Sequence, residues 1–434
     1  MISNNEKMVN FKIIIIIAMG LTASFDIFMV FPILGFNFRF TQILTLFLGC
    51  YWLIIIMKNK FIKIPLGSIS LLIWILFIYI TIPHTTFLLR NVGYAFWITL
   101  NVILIFSIVH FVNSKEKLIL VFKWYIYSFL FVSLFGILQF ILGILGFLPP
   151  FVTQWWVYGS LPRVNGFSYE PSYYATYLIT GWVILSYLAF EGKIKIFSKK
   201  QIWIIYFIIT ISLILSSSRM GILIMGVWLL RYFFLFMKYL LKGKVNVKYF
   251  NILFTVAIIG IIMLLFLFGN KNNDFLLNGT GLGNTASHSV DAREKNLVNT
   301  FRVFLENPIY GVSLGGIAPA IADFYNVSIQ TQEEAKNYEG QSVFVEALAA
   351  SGIIGIIPFV IFILTIILKP IKLSNLIKDN QLQSLLRSLV FSLIILFVIL
   401  QFNQNILRPY LWFHIAILCS SYSVIKKEKL WTNE

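Results

Sequence analysis

The sequence predicts an all-α integral membrane protein with about twelve transmembrane helices. Three observations carry that prediction: 59% of the 434 residues are hydrophobic, only 12% are charged, and the mean hydropathy is +0.87. A soluble fold of this length could not hide so much apolar surface. Apolar runs long enough to cross a bilayer fall at 11–32, 40–57, 66–83, 92–112, 118–147, 172–190, 201–217, 220–238, 250–269, 341–367, 385–405 and 409–424. Lys7 and Lys12 precede the first run, which reads as an uncleaved first helix rather than a signal peptide. Cys50 and Cys419 stand far apart in apolar runs and offer neither a disulfide framework nor metal-ligand spacing.

Charge sets the orientation. With a cytoplasmic N-terminus, the inside segments hold 24 of the 34 basic residues and the outside segments hold 10. Both termini are then cytoplasmic. Nucleic acid is not the expected partner of the +17 net charge, because the lysines sit in short turns between apolar runs. The split by residue type is sharper. Inside stand 22 Lys and only Arg231 and Arg387; outside stand three Lys and Arg39, Arg90, Arg163, Arg219, Arg293, Arg302 and Arg408. Lysine suffices for a topology signal, so an outer set of arginines points to the guanidinium fork and a phosphate or carboxylate ligand. The plainer reading, outer arginines paired with outer carboxylates or reaching to headgroups, stands beside it.

The chain divides into N-terminal helices over 1–147, a central part over 148–367 and C-terminal helices with a tail over 368–434. The central part carries the outer loops 148–171 and 270–340, and the longer one holds eight of the 17 acidic residues. Within it, Asp291 to Glu306 reads as a helix with Leu297, Val298, Phe301, Phe304 and Leu305 on one stripe, stopped by Asn307-Pro308. The following Tyr-Gly-Val-Ser-Leu-Gly-Gly is turn-rich, and its glycines alone are slight evidence of phosphate binding.

No nucleotide-binding signature is visible. His84, His110, His288 and His414 are scattered, and no metal or cofactor is expected. What remains at the outer boundary is arginine, a few carboxylates and the aromatics Trp155, Trp156, Tyr158, Tyr169, Tyr173 and Tyr174. That set suits a lipid-linked phosphate or pyrophosphate, clamped by guanidinium groups that stabilise the leaving group as its charge grows. An acceptor hydroxyl would need a carboxylate or histidine as base. Glu170 is the first choice, although it could equally be a helix-start carboxylate. Glu346 is expected to satisfy a neighbouring polar group. Asp26, well inside a predicted span, is expected to act in function or to pair with Arg39 or Arg408.

The motifs Arg163-Val-Asn-Gly-Phe-Ser-Tyr-Glu-Pro-Ser-Tyr-Tyr-Ala, Ser216-Ser-Ser-Arg-Met-Gly, Glu306-Asn-Pro-Ile-Tyr-Gly-Val and Val345-Glu-Ala-Leu-Ala-Ala-Ser-Gly-Ile-Ile-Gly, in that order, resemble the O-antigen polymerase and ligase family. The likeness covers about residues 160–360. It implies a metal-independent, membrane-embedded glycosyltransferase of the GT-C type in the bacterial inner membrane. Such enzymes use undecaprenyl-pyrophosphate-linked oligosaccharides on the extracytoplasmic face. The acceptor is another lipid-linked repeat unit in polymerases and the lipid A core in ligases. The product would be O-antigen, capsule or exopolysaccharide, with a flippase and a chain-length regulator as possible partners. By the resemblance, Arg163, Arg219 and Arg293 match family arginines. The catalytic candidates are Arg163, Arg219, Glu170 and His288. The substrate-binding candidates are Arg293, Arg302, Tyr169, Gln341 and Arg408, although Arg302 also suits a salt bridge to Glu306. Ligases, and a number of polymerases, carry His-Asn where this chain has Gln341-Ser342; a ligase relying on that histidine would be crippled, which favours a polymerase and leaves His288 as a substitute. A flippase or transporter is the non-enzymatic alternative, but it would place ionisable groups near the midplane.

Overall fold

The computed structural model describes residues 4–33, 36–84, 87–245, 247, 249–250, 287–329, 331–403 and 406–428. The predicted span at 250–269 and most of the loop from 270 to 286 lie outside the described residues.

The described chain is mostly helical. Helices α1 (Asn4–Thr22), α2 (Phe40–Asn59), α3 (Ser68–Ile80), α4 (Leu88–Phe111) and α5 (Lys115–Ile144) form the first part. Helices α6 (Pro171–Phe190), α7 (Lys199–Leu215) and α8 (Arg219–Leu240) follow, then α9 (Ser287–Glu306) and the short α10 (Ile317–Asp323) and α11 (Gln332–Ala335). Helices α12 (Val343–Leu376), α13 (Asn380–Ile399) and α14 (Pro409–Lys427) complete the bundle. Among the described residues seven of these, α2, α4, α5, α6, α8, α12 and α13, are long and apolar enough to cross a membrane. Helix α6 packs on α7 and α13, α4 on α14, and α3 on α12.

Helix ends are set by local chemistry. Ser114, Ser198, Ser218 and Asp379 cap α5, α7, α8 and α13 by accepting backbone N–H groups through their side chains. Two other helices begin differently. Pro171 and Pro409 occupy the first positions of α6 and α14, where the missing N–H costs nothing. Each proline also forces the residue before it out of the helix, so Glu170 (φ −133°, ψ 151°) and Arg408 (φ −73°, ψ 126°) are extended. Both charged side chains therefore stand at a helix mouth.

The first apolar run is not all helix. Helix α1 stops at Thr22, and the chain continues through Phe25 to the hairpin β1 (Val30–Ile33) and β2 (Phe36–Arg39). Asp26 thus lies beyond the helix, not inside a span as the hydropathy implied. Its N–H donates to Phe167 O at 3.0 Å, which ties this segment to the loop before α6.

Helix α12 contains a sharp kink. Gly352 takes φ 60°, ψ −169°, a combination essentially reserved for glycine. The break frees the carbonyls of Ala349 and Ala350, which accept from Val312 N (3.0 Å) and Ser313 N (2.8 Å). In return Ile353 N donates to Pro308 O at 2.9 Å. The Asn307–Ser313 turn is therefore a docking element for α12, and two of the four sequence motifs serve each other. It is no phosphate cradle: Gly315 packs directly on the backbone of Arg90 and Asn91.

Helix α9 ends at Glu306 as expected, and most of its predicted apolar stripe is exposed. Thr300 and Val303 are buried, whereas Val298, Phe301 and Leu305 are exposed. The buried face is the narrower, mixed one.

Candidate functional site

The loop before α6 is built as a rigid knot. Gly166 takes φ +55°, and its N–H donates to Gln139 Oε1 at 2.8 Å. Gln139 Nε2 donates back to Gly166 O (3.0 Å) and to Pro150 O (2.8 Å). Asn165 Nδ2 donates to Phe151 O (2.8 Å) and Ser168 O (2.6 Å). Phe167 is buried against Phe25, Phe135 and Phe151. These contacts use the middle of the Arg163–Ser172 motif and leave its charged ends, Arg163 and Glu170, to face outward from a fixed frame.

Arg163 lies in the strand pair β3 (Trp155–Val157) and β4 (Leu161–Pro162), just past β4, and its N–H donates to Gln154 O at 3.0 Å. Its Nη1 donates to Gln154 Oε1 at 2.7 Å, and its guanidinium lies 4.8 Å from the Trp156 ring centre. Nη2 reaches Ser217 O at 3.5 Å, at the turn between α7 and α8, and Trp156 Nε1 donates to Ser217 Oγ at 3.3 Å. Its buried Nε has no partner among the described residues. Arg219 is the first residue of α8, immediately after that turn.

These groups interact electrostatically. Burial lowers the Arg163 pKa from its usual value; Arg219 adds to the effect, Glu170 opposes it and Arg293 adds again. Burial likewise lowers that of Arg293, with Glu170 opposing and Arg219 reinforcing. Arg163 and Arg293 thus each interact electrostatically with Arg219 and with Glu170. Among the described residues no salt bridge involves Arg163 or Arg293. Glu170 accepts from Ser172 Oγ at 3.0 Å.

Glu170 also lines a cavity of about 900 Å³ at this loop-rich end of the bundle. One wall holds Tyr169, Glu170, Tyr173, Asp26, Arg39 and Arg408. Asp26 pairs with both arginines: Arg39 Nε lies 2.9 Å from Oδ1, and Arg408 Nη1 contacts the same oxygen. The Arg408 guanidinium lies 4.2 Å from the Tyr173 ring centre. Burial pulls the Arg408 pKa down, but Asp26 and the neighbouring tyrosines outweigh it and the net shift is upward.

The facing wall was not anticipated. Arg90 donates Nη2 to Glu339 Oε1 and to Tyr94 Oη, both at 2.7 Å, and Nε to Gly315 O at 3.1 Å. Glu339, Lys336 and Glu346 join Arg90 and Tyr94 in the lining. Glu346 was expected to satisfy a neighbouring polar group, yet its carboxylate has no hydrogen-bond partner among the described residues. No local spacing could have found this wall, because Arg90 and Glu339 meet only through the tertiary fold.

The remaining candidates separate. Arg302 sits outside the cavity lining, 3.2 Å from Glu306 and over the ring of Phe324. It has the helix-surface salt bridge that its spacing also allowed. Gln341 is buried, with its N–H on Thr300 Oγ1 at 3.0 Å and its Nε2 unpartnered, and does not line the cavity either. The side chain of His288 lies outside the described residues. Among the described residues no group of His, Cys, Asp and Glu has the arrangement of a metal site.

The helical bundle, with seven helices long and apolar enough to cross a membrane and a charged cavity, defines a multi-pass membrane protein. Residues 204–360 match the sequence model of a family described as O-antigen ligase, in line with the O-antigen polymerase and ligase resemblance of the motifs. Members of that family are membrane glycosyltransferase-like enzymes that act on lipid-linked oligosaccharides. No curated protein matches the chain. The matched segment contains Arg219, Arg293, Glu339 and Glu346; Arg163 and Glu170 precede it.

Proposed function

We propose that the protein polymerises oligosaccharide repeat units carried on undecaprenyl pyrophosphate, transferring the growing glycan to a new lipid-linked unit. The observation that carries this reading is the electrostatic grouping of Arg163 and Arg293 with Arg219 and with Glu170, which itself lines the cavity. In this reading the loop-rich end faces the extracytoplasmic side of the bacterial inner membrane, and both termini are cytoplasmic. The pyrophosphate sits among the three arginines, whose donors stabilise it as the glycosidic bond to it breaks. The arginines supply the charge that a metal would otherwise bring. Tyr169, Tyr173 and Arg408 line the space for sugar and phosphate. A flippase would supply the lipid-linked units to this step, and a chain-length regulator would act on it.

A ligase is the second reading, and the description of the matching family supports it directly. Against it stands Gln341 where ligases carry histidine.

The test is loss of long polymer. Replacing Arg163 or Arg219 with alanine should lower polymerisation about 10²–10³-fold, the scale of one lost transition-state donor, while single repeat units are still exported. Normal chain lengths on a polysaccharide gel for both variants would end the clamp reading. Purified protein should lengthen lipid-linked units in the presence of EDTA. Transfer onto a lipid A core alone would identify a ligase.

A further inference from the structure

The proposed transfer needs a group that takes the proton of the acceptor hydroxyl, and Glu170 is poorly placed to do so. Its carboxylate already accepts from Ser172 Oγ and interacts electrostatically with Arg163 and Arg293, the arginines assigned above to the leaving pyrophosphate.

The opposite wall holds a different kind of carboxylate. Glu346 stands on the first turn of α12, is 6% exposed, and lines the cavity. Its backbone N–H is used by Ser342 O (2.8 Å), but its side chain receives no hydrogen bond from any described residue. The nearby cation does not supply one. Arg90 gives Nη2 to Glu339 and Tyr94 and Nε to Gly315, its buried Nη1 makes no hydrogen bond among the described residues, and it feels Glu346 only through space. Gly340 packs on the carboxylate, where a Cβ would come within 3.0 Å of Oε1. A buried carboxyl without a donor costs several kcal/mol unless a partner arrives from elsewhere. Here the open side is the cavity.

We infer that Glu346 is the catalytic base of the reaction, accepting the proton of the acceptor-sugar hydroxyl from across the cavity. The inference rests on the glycosyl transfer proposed above, with either acceptor. The hydroxyl oxygen forms a bond to the anomeric carbon of the donor sugar. The bond from that carbon to the pyrophosphate oxygen breaks, and its electron pair leaves with the pyrophosphate among the arginines. The hydroxyl proton passes to the Glu346 carboxylate, which then releases it to solvent. Glu339, one residue before Gly340, holds Arg90 Nη2, and the Glu346 side chain keeps no hydrogen bond of its own among the described residues.

The experiment uses the full-length protein in lipid nanodiscs, with an undecaprenyl-pyrophosphate-linked oligosaccharide as donor. Lipid-linked and lipid A core acceptors are offered separately. Glu346→Gln should transfer about 10²–10⁴-fold more slowly than wild type to whichever acceptor wild type uses, with unchanged donor affinity. Azide, a nucleophile that brings no proton, should consume donor equally fast in wild type and Glu346→Gln. Glu346→Asp should keep part of the hydroxyl-dependent rate. Wild-type transfer rates in Glu346→Gln would overturn the inference. So would loss of the azide reaction together with the hydroxyl reaction, since that marks a role in structure or donor binding. Wild type that uses only the lipid A core replaces polymerase with ligase and leaves the Glu346 result readable. Wild type that transfers to neither acceptor overturns the enzyme reading and the role of Glu346 with it.

Discussion

Asp26 is 5% exposed in its side chain and lies between two guanidinium groups, Arg39 and Arg408. Burial lowers the pKa of Arg39, Asp26 opposes that shift, and the neighbouring Arg408 lowers it again. The carboxylate is thus what lets two cations share one wall of the cavity. Removing one member of a buried charge set costs about 3–5 kcal/mol, because the others are left uncompensated. Asp26→Asn keeps the shape and should lower the unfolding midpoint accordingly, and adding Arg39→Gln should recover part of the loss. An unchanged midpoint in detergent would show that the triad carries no stability. The sequence named both arginines as possible partners, but no spacing could choose between residues 39 and 408. The structure uses both. Arg231 and Arg387, the two arginines counted inside, also have structural partners: Arg231 pairs with Glu191 inside a ring of Tyr187, Trp228, Tyr232 and Phe391, and Arg387 donates to Ser374 Oγ and Asn375 Oδ1.

At the scale of elements, the kink of α12 and the Asn307–Ser313 turn form one unit. Gly352→Ala would place a non-glycine residue in a conformation that costs about 1–3 kcal/mol, and its Cβ would also meet the Ile309 carbonyl. The expected result is a clear fall in thermal midpoint. Gly226→Ala in α8, where a Cβ meets nothing within 4 Å, should be neutral or gain up to about 1 kcal/mol. Equal effects of the two substitutions would remove the kink from the list of constraints. Helix ends marked by a cap or a proline were legible: Asn307-Pro308 stops α9, and Pro171 and Pro409 start α6 and α14. Hydropathy does not register where a helix stops, so the first run was read ten residues too long.

At the scale of the molecule, every feature of the proposed chemistry gathers at one end of the bundle, and its exposure to the outside can be measured. In a Cys50→Ser background, Tyr158→Cys, at a position 82% exposed beside the arginine cluster, should react with a membrane-impermeant maleimide in intact cells. Lys242→Cys, exposed just past the end of α8, should react only after permeabilisation. The reverse pattern would invert the topology and remove the lipid-linked donor from the site. The bundle class was legible because hydropathy is a local property. The grouping of Arg90 and Tyr94 with Glu339 and Glu346 was not, because it is assembled from α4 and residues 332–346, which meet only when folded.

The shared carboxylate also imposes an order on biogenesis. Asp26 emerges from the ribosome among the first residues and Arg408 among the last, with nearly the whole chain between them. While the early helices are being inserted, Asp26 has only Arg39 to balance it, and the wall of the cavity has a gap where the start of α14 belongs. Helix α14 therefore closes a ring opened by the segment that follows α1, and a chain that stalls before α14 holds an unfinished chamber.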